Sequence, residues 1–419
     1  MDDYTMLSLI ATGTFGEVYK VKEKKSNLIF AMKIYLDEIS EHEGIPSTIL
    51  RELLLLKLCQ HSNILKSFHS FIKDKKVHLL LEHCDSTLSD ICRTSIDFKS
   101  IISQLLSGVN YLHKCHVLHR DLKPSNILII DNCVKIADFG YSIIFDSSLS
   151  NSHSSHAFSS HFRPPELLLG GSEYGFPADM WCVGVIIFEL VTGKHFLTTK
   201  TDDEQLTEIF SILGTPSESS WNGVSTFPKF KSDVKSIKSN TLCNYFDDSI
   251  DKNLISLISK LLVVNPNNRL TAQEALDYPY FQDFQPLSLN ETKTSPTVSP
   301  FKCNFDHVTS TYEPNHALDD TIIERVTGWM KKVISCENLN IESLAIDLWL
   351  SLARRRYPWF CMNTDYAQLW AITCIWILSK VCNDFTFSVF TASTCTGRAF
   401  SVQEIINCEI EMLHICKCL

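Results

Sequence analysis

The sequence predicts an α+β chain of two lobes, a small mainly-β lobe followed by a larger mainly-α one, then a linker and an all-α helical bundle. Three observations point to this. Residues 4 to 37 alternate apolar and polar positions around Gly13 and Gly16, segments beyond residue 46 switch to helical period, and the composition changes after Phe281. At 419 residues the chain has length for two or three domains, each with its own core. The expected boundaries are 4–281 for the two-lobed domain, 282–317 for the linker and 318–419 for the helical domain.

The alternation over 4–37 predicts strands joined by a tight hairpin. Over 46–60, Ile49, Leu53 and Leu56 fall at i, i+4 and i+7 of a helix, and Glu52 shares their stripe, so a carboxylate points inward. Segments 98–114, 180–193, 202–213 and 251–264 predict further helices. Residues 286–316 hold four prolines and many Ser and Thr, which marks a linker. As a flexible coil of roughly 35 residues it has a reach of about 30 Å. Helical period then resumes at Ile341, Leu344, Ala345, Leu348, Trp349 and Leu352. Residues 366–380 are apolar nearly all round, as suits a helix at the centre of a bundle.

Lys+Arg 38 against Asp+Glu 48 gives 38 − 48 = −10, which argues against bulk electrostatic binding of nucleic acid. The opening MDDYTMLSLI lacks the basic and apolar regions of a secretory signal, so the expected location is inside a cell, in cytoplasm or nucleus. Leu369–Leu378 is about half of the ~20 residues that span a bilayer, so no membrane helix or membrane partner is expected. Sixteen scattered cysteines without a CxxC pair read as reduced thiols, and His153, His156 and His161 lack a fourth metal ligand.

The chemistry lies in a series of motifs. The glycine loop Ile10-Ala11-Thr12-Gly13-Thr14-Phe15-Gly16-Glu17-Val18, with Ala11 where a first glycine would stand, identifies nothing alone. It is followed in order by Ala31-Met32-Lys33, the helical Glu52, His119-Arg120-Asp121-Leu122-Lys123-Pro124-Ser125-Asn126, Asp138-Phe139-Gly140 and Pro164-Pro165-Glu166. In this order they resemble the protein-kinase signature and imply the two-lobed protein kinase fold.

Phosphoryl transfer is catalysed by positioning and electrostatics, so each residue type has a physical task. The resemblance implies ATP and Mg2+ as cofactors. Lys33 offers a cation to the α and β phosphates, with Glu52 holding its long side chain. Asn126 and Asp138 offer the hard oxygens that magnesium prefers. Asp121 is placed to take the proton of the substrate hydroxyl, and Lys123 to reach the γ-phosphate. Amides at Thr14 to Gly16 close over the phosphates, and Ala11 stiffens that lid.

Gly44-Ile45-Pro46-Ser47-Thr48-Ile49-Leu50-Arg51-Glu52 resembles the PSTAIRE helix of cyclin-dependent kinases, and the likeness runs from about Tyr4 to Phe281. It includes Phe162 to Gly170, Ile209 to Pro216 and Asn265 to Arg269. By that resemblance Leu81 is the gatekeeper, Glu82 and Cys84 present backbone groups to adenine, and Thr87 lies near the ribose. Ile10, Gly13, Thr14, Phe15, Gly16, Val18, Ala31 and Leu128 complete the implied nucleotide site. Arg163 and the Ala157-Phe158 backbone match the region that shapes a pocket for Ser or Thr followed by Pro. The chain also departs from the family. Phe15 replaces the inhibitory tyrosine, leaving Thr14. Ser154 aligns with the activating phosphosite, and of the three clamping arginines Arg51 and Arg120 are matched while the third position is Ile143.

Residues 318–419 resemble one cyclin box. Trp329, Leu344-Ala345 and Ile377-Leu378-Ser379-Lys380 fall in its first three helices and Glu409 in its last. In cyclins a Lys and a Glu at the places of Lys380 and Glu409 grip the PSTAIRE helix, whereas Leu350-Ser351 and Arg325 replace characteristic residues. The implied function is an ATP-dependent, proline-directed Ser/Thr protein kinase with an activating cyclin-like domain in cis. A kinase needing an external cyclin and a non-catalytic module sequestering cyclins or kinases stay open beside it. Ser295-Pro296 and Ser299-Pro300 are candidate autophosphorylation sites, and Cys416-Lys417-Cys418-Leu419 formally fits a prenylation box.

Overall fold

A computed structural model of the chain describes residues 3–90, 97–145, 157–231, 237, 240–282, 284, 320–337, 339, 341–355, 364–382 and 387–415. In chain order the strands and helices are β1 (Tyr4–Thr12), β2 (Gly16–Glu23), β3 (Ile29–Glu38), α1 (Ser47–Leu58), β4 (Ser67–Lys73), β5 (Lys76–Glu82), β6 (Ser86–Thr87), α2 (Phe98–Lys114), β7 (Val117–Leu118), β8 (Ile127–Ile130), β9 (Cys133–Ile136) and β10 (Ile143–Ile144). They continue with α3 (Pro165–Leu168), α4 (Phe176–Thr192), α5 (Asp202–Leu213), α6 (Lys252–Leu261), α7 (Ala272–Leu276), α8 (Asp320–Cys336), α9 (Glu342–Arg355), α10 (Thr364–Cys382), α11 (Val389–Cys395) and α12 (Val402–Ile415). The expected helix over 180–193 starts earlier, at Phe176, because Pro177 fits the first turn. The one over 251–264 ends at Leu261, with Asp251 capping its N-terminus.

These elements form two compact units. The first holds β1 to β5, α1 and the C-terminal helices. Its strands make one antiparallel sheet in the order β1-β2-β3-β5-β4, in which Lys33 sits opposite Val18 and Leu79. Val21, Met32 and Leu80 form a small core on the sheet. Around α10 pack α8, α9, α11, α12 and also α1. The burial of Trp370, Trp376 and Leu378 answers to the all-round apolar sequence of α10. Helix α1 is buried along nearly its whole length, Leu50, Leu54 and Leu55 included, because α10 packs on it as well as β4.

The second unit contains β6 to β10 and α2 to α7. Helix α4 is its apolar axis, with Trp181 and Phe188 fully enclosed. Capping boxes, Thr201 with Glu204 and Thr271 with Glu274, start α5 and α7. Arg269 grips Glu166 of α3 through both carboxylate oxygens, at 2.8 and 2.6 Å, which fixes the segment after Pro164. No helix among the described residues is long and apolar enough to cross a membrane. The described cysteines are free thiols, and no group of three or more metal-binding side chains occurs among the described residues. Ser154, His153, His156, Ser295, Ser299 and residues 416–419 lie outside the described residues.

Candidate functional site

In the first unit, Lys33 reaches Glu52 through both carboxylate oxygens, at 2.8 and 2.6 Å. Strand β3 carries the lysine and α1 the glutamate, and the side chains are 11% and 2% exposed, so solvent screens the pair little. The Tyr35 hydroxyl donates to the same carboxylate at 2.8 Å, and the Lys33 ammonium lies 5.1 Å from the Tyr35 ring centroid. Tyr35 was not singled out in the sequence, although its position two residues from Lys33 places it on the same face of β3.

The glycine loop is the turn between β1 and β2, closed by the Gly13 N–H donating to Gly16 O at 2.8 Å. Gly16 is required by close approach, since a Cβ there would press on the Ile34 backbone. Thr14 is exposed and Phe15 partly so. Ala31 and Leu81 pair across β3 and β5 and are both buried, whereas Ile10 is 45% exposed. The Glu82 N–H is committed to Lys66 O at 3.0 Å.

The far side of α1 meets the C-terminal helices. The buried Lys380 ammonium donates to Glu409 Oε1 at 2.8 Å, Glu43 O at 2.8 Å and Ile45 O at 2.9 Å, and sits 3.6 Å from the Trp376 ring centroid. Glu409 Oε2 accepts from the Ile45 N–H at 2.9 Å. Arg51 Nε donates to Lys380 O at 3.0 Å. Burial pushes the Glu409 carboxyl up and pulls the Lys380 ammonium down, and their mutual attraction opposes both shifts. The residues leading into α1 are thus held by a desolvated ion pair in which each charge has several partners. Gly44 makes the approach feasible: its φ is +65°, and a Cβ would press on Glu409 and Trp376. Gly44→Ala should therefore cost roughly 1 to 3 kcal/mol, read as a lower midpoint in thermal unfolding of the full chain.

In the second unit, Asp121 is 3% exposed and fully engaged. Its Oδ1 accepts from the Ser159 hydroxyl at 2.7 Å, and its Oδ2 accepts from Lys123 Nζ at 2.8 Å and Asn126 Nδ2 at 3.0 Å. Lys123 also donates to Ser159 Oγ at 2.9 Å, which closes a ring of three side chains. Asn126 Nδ2 donates to the Asp121 carbonyl as well, at 2.8 Å, so its amide oxygen is the atom suited to a metal. The backbone of this loop is held by Asp179, which accepts from the His119 N–H at 2.8 Å and the Arg120 N–H at 2.9 Å. Burial alone would raise Asp179, but the hydrogen bonds from His113 and His119 outweigh it and keep the carboxyl below its usual range. Burial lowers His119 and favours its neutral form.

Arg120 and Asp138 both adopt φ of 66°, a strained backbone for residues with side chains. Phe139 packs edge-on against His119 with centroids 5.0 Å apart. Leu128 pairs with Thr87 across β6 and β8, but the Thr87 hydroxyl is spent on Asp90 at 2.7 Å, and Cys84 is half-buried. Arg120 donates to Tyr141 O at 2.6 Å and the Tyr174 hydroxyl at 3.2 Å, while Ile143 is built into β10, opposite Leu118. Ser159 and Asp179 were missed at the sequence level. Ser159 is one of many serines in its region, and Asp179 reads as an ordinary acid in a helical first turn.

A sequence-family model described as "Protein kinase domain" matches residues 4–281 of the chain.

Proposed function

The chain belongs to the protein kinase domain family, and we propose that it is an ATP- and magnesium-dependent serine/threonine kinase of the cyclin-dependent type, activated by its own cyclin-box-like helices. The observation that carries this reading is the seating of α1 on both sides: Glu52 on Lys33, and Ile45 and Arg51 on the α10 and α12 network. A lysine so fixed meets the nucleotide phosphates without first losing side-chain entropy. Asp121, oriented by Ser159 and Asn126, accepts the proton of the acceptor hydroxyl. Lys123 stays beside it as a cation for the charge that develops on the transferring group. Magnesium held by the Asn126 amide oxygen and the Asp138 carboxylate would neutralise phosphate charge.

Proline preference is supported by Phe158. Its φ of 73° is left-handed, and its carbonyl accepts from Arg163 Nη2 at 3.4 Å. That carbonyl is poorly available to an N–H of the residue after the acceptor. Proline has no N–H to leave unpaired, whereas another residue would forfeit about 1 to 3 kcal/mol, roughly five- to 150-fold. A Ser-Pro peptide should accordingly be turned over at least fivefold faster in kcat/KM than its Ser-Ala counterpart.

The decisive assay uses the purified full chain, radiolabelled ATP, magnesium and a Ser-Pro peptide with no other protein. Phosphate incorporation is the expected result. Incorporation only after a cyclin is added would assign activation to an external partner, and partner capture without transfer at saturating ATP would make the chain a sequestering module.

A further inference from the structure

The second unit holds a cavity of about 370 Å³ beside the loop that carries Asp121, lined by Lys123, His161, Glu189, Lys194 and His195 among others. Lys123 donates to Asp121, so this space adjoins the group assigned to the acceptor hydroxyl. Glu189 is the one acid among the described residues that line it. It is largely withdrawn: its side chain is 12% exposed, and its Oε1 accepts from the Phe196 N–H and faces His195 Nδ1, each at 3.2 Å. The Lys194 ammonium and the two imidazoles are the accessible groups. Lys194, His161 and His195 are exposed, and Lys194 forms no ion pair among the described residues. A visiting chain would therefore meet positive and protonatable groups ahead of the carboxylate, in a protein whose net charge is −10.

We propose that this cavity is a specificity subsite for an anionic side chain, a carboxylate or a phosphate ester, near the acceptor residue of the protein substrate. Lys194 and His195 are its specificity-determining residues, with His161 on the rim. The proposal rests on the kinase reading and names the substrate class for the same site. Apolar Leu88 and Leu190 line the cavity too, so the anion's carbon stem is received by a surface that lowers the local dielectric.

The test uses the full chain and a Ser-Pro peptide series in which Ala, Asp, phosphoserine or Lys is scanned through each flanking position except the one after the acceptor. Turnover of the Ala peptide tests the kinase reading, and the ratio to it tests the subsite. At one position Asp and phosphoserine should raise kcat/KM roughly five- to tenfold over Ala, more at low salt. In Lys194→Glu/His195→Gln that ratio should fall to about one. Equal rates for all peptides, a preference for Lys at the responsive position, or an acidic preference that survives the double variant would each overturn the proposal. If no peptide is turned over, fluorescence anisotropy of labelled phosphoserine and Lys peptides decides it: tighter, salt-sensitive binding of the phosphoserine peptide that the double variant loses supports the subsite, and equal binding refutes it.

Discussion

Asp121→Asn should lower kcat by roughly 10²- to 10⁴-fold, the range lost with a general base, while ATP affinity stays within about twofold of the parent. The expectation follows from what the substitution keeps. Asparagine fills the same volume, and its amide oxygen can still accept from Ser159, as Asp121 Oδ1 does at 2.7 Å. The Asp179 bonds to His119 and Arg120 N–H hold the loop from the other side and do not involve position 121. What disappears is the acceptor for a proton and the charge beside Lys123, 2.8 Å away. Rapid-quench measurement of the transfer step, with nucleotide binding followed separately, checks both halves. A transfer rate within tenfold of the parent would show that Asp121 is not the base and would remove the mechanism built on it.

Contacts were legible in the sequence where two side-chain charges meet, and were not where backbone atoms or distant segments take part. Lys33 and Glu52 were legible because a strand lysine and a helix carboxylate on an apolar stripe have few other reasons to face inward. Lys380 and Glu409 were legible only through resemblance, and their partners Glu43 O, Ile45 O and the Ile45 N–H were not, since every residue carries such atoms. The burial of Leu50, Leu54 and Leu55 escaped notice for a related reason. Periodicity finds one buried face of α1, and the second is covered by α10, a helix that begins more than 300 residues further on. The bond from the Thr87 hydroxyl to its neighbour Asp90 was likewise not anticipated.

Lys380→Met should be the most damaging single change in the C-terminal helices, and it is a cleaner probe of them than removing them. Those helices belong to the same compact unit as the sheet and α1, so truncation would strip cover from α1 and confound loss of activation with loss of folding. Methionine keeps a side chain of similar length and deletes the ammonium that lies over the Trp376 ring. That leaves the Glu409 carboxylate fully buried with the Ile45 N–H, and leaves Glu43 O and Ile45 O without their ammonium donor. Breaking a buried pair in this way costs about 3 to 5 kcal/mol. The cost falls on the state in which Ile45 is docked and Glu52 faces Lys33, so the fraction of molecules with α1 seated should drop, and kcat with it, by roughly tenfold or more. Lys380→Met/Glu409→Leu separates the two contributions. Removing both charges should restore much of the lost thermal stability but not the activity, because no carboxylate remains to hold the Ile45 N–H. Full activity in the double variant would mean that α1 keeps its seat without the α10 and α12 network, and activation by these helices would have to be abandoned.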